Sequence, residues 1–120
     1  MPYWHRSGMT RGKHYVHAEI SVMPFGKDVQ LGMSREVALA FEAISSVKGV
    51  RTVLTPMGTQ VEADSVEQIL DAISAAHKAL RSAGVKRTIS TVRIDERRDK
   101  KQSLEDRVEA VKKSLEERQS

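Results

Sequence analysis

The residues that could carry acid–base or metal chemistry are few, and their spacing does not bring them together. His14 and His17 lie three positions apart, so on a strand their side chains would point to opposite faces. His77 falls on the apolar stripe of a predicted helix, where a packed histidine is more common than a ligand. The chain has no cysteine, which excludes a disulfide scaffold, a thiolate metal site and a cysteine nucleophile. We therefore expect no metal site and no cofactor.

Motifs for phosphate binding and for serine nucleophiles are also missing from the sequence. No G-x-x-x-x-G-K-[ST], G-x-G-x-x-G or G-x-S-x-G pattern occurs. The segment 95–101 is a compact run of both charges, in which Arg97 and Arg98 could clamp a phosphate. Alternatively, it is a solvated connector whose charges pair internally, as charge runs usually do. No cluster of residues indicates a reaction.

The composition fits one small domain. The 120 residues are too few for two ordinary domains, and with aromatics at 4% the core must be aliphatic. No apolar run approaches the roughly 20 residues of a membrane helix, and no signal-peptide pattern is visible, so we expect a soluble cytoplasmic protein. The net charge is +4, but 20 basic residues face 16 acidic ones, which favours a mixed solvated surface over a nucleic-acid site.

Alternation of apolar and polar residues predicts four strands. The first is ended by Pro24, because proline lacks the N–H that a sheet ladder needs. The second and third are joined by a turn at residues 55–58 and therefore form a hairpin. The predicted strands are Val16–Met23, Val50–Leu54, Thr59–Ala63 and Thr88–Ile94.

Apolar residues spaced three and four apart predict three helices. Ser34 is the predicted N-cap of the first helix, which Gly49 ends. The second helix ends at Gly84, and its start fits a capping box from either of two adjacent residues, Asp64 or Ser65. The third begins after the predicted cap Ser103.

The order βαββαβ predicts an α+β fold, a ferredoxin-like sandwich with a four-stranded antiparallel sheet. Right-handed crossovers favour the strand order 4-1-3-2, with the first two helices on one face and a further C-terminal helix. We assign residues 16–120 to this single domain and residues 1–15 to a flexible N-terminal arm. The connections at 23–33, 55–59 and 83–87 would meet at one end, as a rim that binds a small ligand or as ordinary turns.

The face of the sheet opposite the two helices is predicted to be mixed in character. It would carry His17, Glu19, Ser21, Met23, Gln60, Glu62, Ile89, Thr91 and Arg93. The last helix has an apolar stripe that consists of Leu104, Val108, Val111 and Leu115. Since an isolated helix of this length is marginal in water, the stripe needs a partner. We therefore expect a homodimer or homotetramer joined through sheet faces.

Three segments resemble the small ferredoxin-like thiamine-binding protein family. Residues 17–24 (HAEISVMP) are similar to its opening strand, and residues 54–62 (LTPMGTQVE) to its central hairpin. Lys86-Arg87 followed by residues 94–100 (IDERRDK) resembles its last strand and exit. Ala63 stands where a glycine is common in the family, which suits a strand equally well.

The resemblance implies a homo-oligomer that binds thiamine or its hydroxymethylpyrimidine half, and it does not imply catalysis. Thiamine offers an amine donor, ring-nitrogen acceptors and a thiazolium cation, which hydroxyls, carboxylates and polarizable side chains can bind. The candidate hydroxyls belong to Ser21, Thr55 and Thr59. The candidate carboxylates and thioethers belong to Glu19, Glu62, Met23 and Met57.

Two other functions are compatible with the predicted fold. The protein could be a regulatory or assembly module that binds another small metabolite or a protein, because this fold hosts many such modules. RNA binding on the open sheet face would need exposed aromatics on the strands. The four predicted strands contain no aromatic residue, so nucleic acid is not an expected partner, and neither is a membrane.

Overall fold

The computed structural model describes the backbone of residues 3–6 and the backbone and side chains of residues 13–26 and 33–119. These ranges form five strands and three helices. The strands are β1 Tyr3–Arg6, β2 Val16–Phe25, β3 Arg51–Thr55, β4 Gly58–Ala63 and β5 Arg87–Glu96. The helices are α1 Ser34–Ser45, α2 Val66–Ser82 and α3 Leu104–Gln119.

The strands form one antiparallel sheet in the order β1-β3-β4-β2-β5. Within it, the order β5-β2-β4-β3 is the predicted order 4-1-3-2, so the α+β fold and the topology of the four strands are confirmed. The longest pairing joins β2 to β5 over ten residues, from Val16↔Glu96 to Phe25↔Arg87. The two strands that carry most of the open-face polar residues are therefore neighbours.

A fifth strand, β1, extends the sheet beside β3. It pairs from Tyr3↔Leu54 to Arg6↔Arg51. The sequence pattern does not predict this strand, because four residues without apolar alternation carry no period, and the free edge of β3 supplies the hydrogen-bonding partners. The flexibility assigned to residues 1–15 stays a prediction, and residues 7–12 lie outside the described residues.

The first long strand continues beyond its predicted end. Pro24 pairs with Thr88 inside β2, so the prediction that Pro24 ends this strand is wrong. The pairing of β4 with β2 extends only to Ile20. At Pro24, β2 is therefore an edge on that side, where a missing N–H is tolerated.

Helices α1 and α2 cover one face of the sheet and enclose the core. Val16, Ala18 and Ile20 of β2 pack there with Ile44 of α1 and Ile69 of α2, all of them buried. The inward residues of β2 are two positions apart, as the strand period requires. This alternation places His17, Glu19 and Ser21 on the opposite face, which is called the open face below.

The helix ends follow local capping rules. Ser65, rather than Asp64, caps α2 and forms a capping box with Gln68. Gly84 has a φ of 92° and ends α2 as predicted, with the N–H of Val85 donating to the carbonyl of Leu80. Helix α1 begins at Ser34 with Met33 at its N-cap, one residue before the predicted cap.

Helix α3 lies against the open face through its first turn. The Ser103 hydroxyl accepts a hydrogen bond from the Asp106 N–H at 3.0 Å, which confirms the predicted cap. The N–H of Leu104, the residue after Ser103, donates to the Glu62 carboxylate on β4 at 2.8 Å. Beyond this turn Val108, Val111 and Leu115 are 52–59% exposed, and α3 has no buried residue. The helix is thus held at its start, and most of its apolar stripe faces solvent in the single chain.

A candidate ligand-binding groove on the open face

A row of charged and polar side chains crosses the open face under the start of α3. The strand registers pair Arg51 with Glu62, Glu62 with His17, and His17 with Asp95, across β3, β4, β2 and β5. Arg51, Glu62 and His17 are buried. Because buried charges are costly unless paired, this row needs compensating partners on every side.

The Arg51 guanidinium joins the sheet to α3. It forms ion pairs with Glu62 on β4 and with Glu105 on α3, and its Nη1 lies 2.9 Å from the Glu105 Oε1. Burial would lower the pKa of Arg51, but the hydrogen bonds that its guanidinium donates to Glu105 and Glu62 outweigh burial and raise this pKa. Arg51 therefore stays charged and holds the first turn of α3 in place.

Both ring nitrogens of His17 are engaged beneath α3. The Arg107 Nε donates to the His17 Nδ1 at 2.6 Å, and the His17 Nε2 lies 2.8 Å from the Gln102 carbonyl oxygen. Since Nδ1 accepts, the Nε2–H must donate, so His17 is neutral in this arrangement. Burial lowers the pKa of His17, although the hydrogen bond to Gln102 acts in the opposite direction.

Arg107 also contacts the last member of the row. Its Nη2 donates to the Asp95 Oδ2 at 2.7 Å. This hydrogen bond and the guanidinium charge hold the pKa of Asp95 below its usual range. Arg107 thereby links α3 to both β2 and β5.

Next to this row, the open face and α3 enclose a groove of about 730 Å³. This is within the size range of pockets for small molecules. Glu19 is half-buried in it and accepts a long hydrogen bond of 3.5 Å from the Gln60 Nε2. Arg93 is the cross-strand partner of Glu19 on β5. The lining residues are His17, Ala18, Glu19, Gln60, Arg93, Ile94, Asp95, Glu96, Leu104 and Arg107.

A smaller groove of about 320 Å³ lies on the other side of Leu104, toward β3. Val53, Thr55 and Gln60 form its floor, and α3 forms its wall with residues that include Val108. Gln60 and Leu104 line both grooves. A ligand with two rings could therefore contact both sides of Leu104.

The structure disperses the seven side chains predicted to bind ligand. Glu19 lies in the larger groove and Thr55 in the smaller one, where the Thr55 hydroxyl donates to the Gly58 carbonyl at 2.8 Å. Ser21 and Met23 lie farther along the open face of β2, opposite Thr91 and Ile89. Of the predicted carboxylates, Glu19 is thus the one in a groove.

The remaining three predicted residues line neither groove. Met57 is 82% exposed at the hairpin turn. Thr59 is buried in β4 two residues from the core residue Val61, on the helix-covered face. Glu62 is fully buried in the charged row, bonded to Arg51 and to the Leu104 N–H. Ligand contact by these seven residues stays a prediction.

The groove also contains residues that the sequence did not single out for binding. Strand alternation alone places Gln60 and Arg93 on the open face, and it could have identified both as candidate ligand-binding residues. Arg107 and Leu104 carried no such signal, because their place depends on how α3 docks. The described ranges contain no group of three or more His, Asp or Glu side chains that could hold a metal ion, and no described helix is long and apolar enough to cross a membrane.

Comparison with known proteins identifies the family. A family model described as thiamine-binding protein matches residues 18–112. The chain belongs to the thiamine-binding protein family. A UPF0045 protein of Methanothermobacter thermautotrophicus is 38% identical over 100 residues, which cover 83% of this chain and 99% of the relative. A UPF0045 protein of Bacillus subtilis is 31% identical, with coverages of 82% and 95%.

Solved structures agree with this assignment to the thiamine-binding protein family. A hypothetical protein from Methanocaldococcus jannaschii is 33% identical, with a TM-score of 0.66 over 80% of this chain and 94% of that one. A Thermotoga maritima protein, named as a candidate for thiamine biosynthesis or salvage, is 27% identical, with a TM-score of 0.64 over 80% and 97%. The range matched by the family model, 18–112, includes most of β2, all of β3 to β5 and the first half of α3. It therefore contains every residue that lines the two grooves except His17.

Proposed function

We propose that this protein binds thiamine, or its hydroxymethylpyrimidine half, in the groove between the open sheet face and α3, without transforming it. The observation that carries the proposal is the pairing of an available carboxylate, Glu19, with the Gln60 amide in a groove of about 730 Å³. Membership of the thiamine-binding protein family supports the choice of ligand. We expect the protein to act in the cytoplasm.

The chemistry of the groove suits the two halves of thiamine. Glu19 can accept from the pyrimidine amine, while Gln60 and Arg93 can donate to a ring nitrogen. Asp95 and Glu96 also line the groove. Each already has an arginine partner, but both are exposed, so their oxygens can also attract the thiazolium cation. Leu104 offers an apolar surface against which a ring can pack.

Isothermal titration calorimetry with thiamine and with hydroxymethylpyrimidine tests the proposal. We expect saturable heat from both ligands and an increase in the melting temperature, because a ligand that binds the folded state stabilises it. The absence of heat and of a thermal shift at millimolar concentrations of both ligands would contradict the proposal.

We also propose that the binding species is a homo-oligomer joined through the open face. Val108, Val111 and Leu115 of α3 are more than half exposed, and Met23 and Ile89 on the sheet are about 40% exposed. A second copy that covered these side chains would stabilise the assembly at about 25 cal/mol per Å² of apolar area. Sedimentation should give a mass above the 13.4 kDa of one chain. Deletion of the residues from Ser103 onward should reduce the number of chains in the assembly. A monomer at high concentration would contradict this part of the proposal.

A further inference from the structure

The carboxylates of the charged row and of the larger groove differ in how far their charge is already compensated. Glu62 is bonded to Arg51 and to the Leu104 N–H, and Asp95 accepts from Arg107 at 2.7 Å. Glu96 lies 3.6 Å from an Arg98 guanidinium nitrogen. Glu19 differs from them, because among the described residues its partner is the neutral Gln60 amide, at 3.5 Å.

The cation opposite Glu19 does not compensate it. Arg93 is its cross-strand partner, yet the two side chains form no ion pair. The Arg93 guanidinium has no hydrogen bond or ion pair to another described residue. The groove therefore presents an acceptor at Glu19 beside donors at Gln60 and Arg93. A ligand that complements this pattern has a hydrogen-bond donor next to an acceptor.

We propose that Glu19 is the specificity-determining residue of the groove and selects a 4-aminopyrimidine over the corresponding 4-oxopyrimidine. This inference depends on the proposed function and assigns a role within the same site. The exocyclic amine donates to the Glu19 carboxylate, and the adjacent ring nitrogen accepts from the second N–H of the Gln60 amide. Gln60 uses its first N–H on Glu19, so it also orients the carboxylate.

The oxo analogue reverses this pattern. Its exocyclic oxygen is an acceptor that meets a carboxylate, which has no proton to give, and its ring N–H faces the donors of Gln60 and Arg93. A polar group left unpaired in a site costs more than a missing contact. Because Glu19 is only half-buried, we expect a preference for the amine of about 10- to 100-fold.

The experiment compares thiamine with oxythiamine, its 4-oxo analogue, by calorimetry on the full chain. The wild-type protein should bind thiamine about 10- to 100-fold more tightly. Glu19→Gln should weaken thiamine binding and leave oxythiamine binding equal or tighter, because an amide can turn its N–H toward the oxo group. Glu42→Gln makes the same charge change at an exposed site on α1 and should keep the wild-type preference.

The outcomes separate this inference from the proposed function. If the wild-type protein binds both ligands equally, or if Glu19→Gln retains the preference, the role of Glu19 is overturned while thiamine binding stands. If Glu19→Gln loses both ligands but keeps the wild-type melting temperature, Glu19 is needed for binding without discriminating, which also overturns the inference. If the wild-type protein binds neither thiamine nor hydroxymethylpyrimidine, the proposed function fails, and the inference fails with it.

Discussion

Removal of the Arg51 guanidinium should destabilise the protein strongly. In Arg51→Met, the fully buried Glu62 would keep only the Leu104 N–H at 2.8 Å and the His17 Nε2 at 3.7 Å as compensation. Breaking one side of a buried ion pair costs about 3–5 kcal/mol. The side chain of Glu105 is 22% exposed and can turn toward water, so the loss of its ion pair with Arg51 adds little. We therefore expect the free energy of unfolding to fall by about 3 kcal/mol in all. For a chain of this size that corresponds to a melting temperature lower by about 10–15 °C.

Urea unfolding followed by circular dichroism would measure this change. A matched control is Arg93→Met, which removes an exposed arginine from the same face and should change the free energy of unfolding by less than about 0.5 kcal/mol. The double variant Arg51→Met/Glu62→Leu should recover much of the loss, with about 1 kcal/mol remaining for the unpaired Leu104 N–H. If the free energy of unfolding of Arg51→Met is within about 1 kcal/mol of the wild-type value, the buried ion pair does not contribute the predicted stability.

Three further predictions concern the sheet and the helix caps. Because the pKa of His17 is lower in the folded state than its ordinary value of 6.5, the unfolded state binds the proton first. The free energy of unfolding should therefore fall as the pH decreases below 6.5 and through the folded-state pKa, and His17→Gln should flatten this dependence in urea titrations. Gly58→Ala should cost about 1–3 kcal/mol, since a Cβ there would lie 2.9 Å from the Ile20 carbonyl oxygen; an unchanged melting temperature would show that the backbone yields. Ser65→Ala removes the cap of α2 and should cost about 1 kcal/mol, whereas Ser74→Ala, on an exposed face of the same helix, should not destabilise the protein in thermal melts.

Much of the fold followed from local patterns. The alternation in Val16–Met23 and the stripe of α2 predicted elements that the structure contains, because period-two and period-3.6 patterns each bury one face of one kind of element. The topology followed as well, since right-handed crossovers leave few arrangements for βαββαβ. The strand β1 did not, because it exists through pairing with the edge of β3 rather than through its own four residues.

The candidate site divides in the same way. Strand parity alone placed Glu19 and Gln60 on one face of the sheet, because successive side chains point to opposite sides. Parity also assigns Thr59 to the covered face, and its prediction as a ligand contact rested on its hydroxyl alone. Strand parity also could not show that the Glu62 carboxylate would be bonded to Arg51 and to the first turn of α3.

The sequence by itself determined four of the five strands, the three helices and the face on which each of those strand residues lies, because these depend on neighbours one to four positions apart. The order of the four strands followed from the succession of the elements and the handedness of their crossovers. The tertiary structure decided which of the open-face carboxylates remain available. That depends on where α3 docks, which brings Arg107 to His17, 90 positions away, and Glu105 to Arg51, 54 positions away. Contacts at such separations leave no periodic pattern in the sequence. The availability of Glu19 for a ligand therefore follows only from the tertiary structure, which pairs the other carboxylates near the groove with arginines.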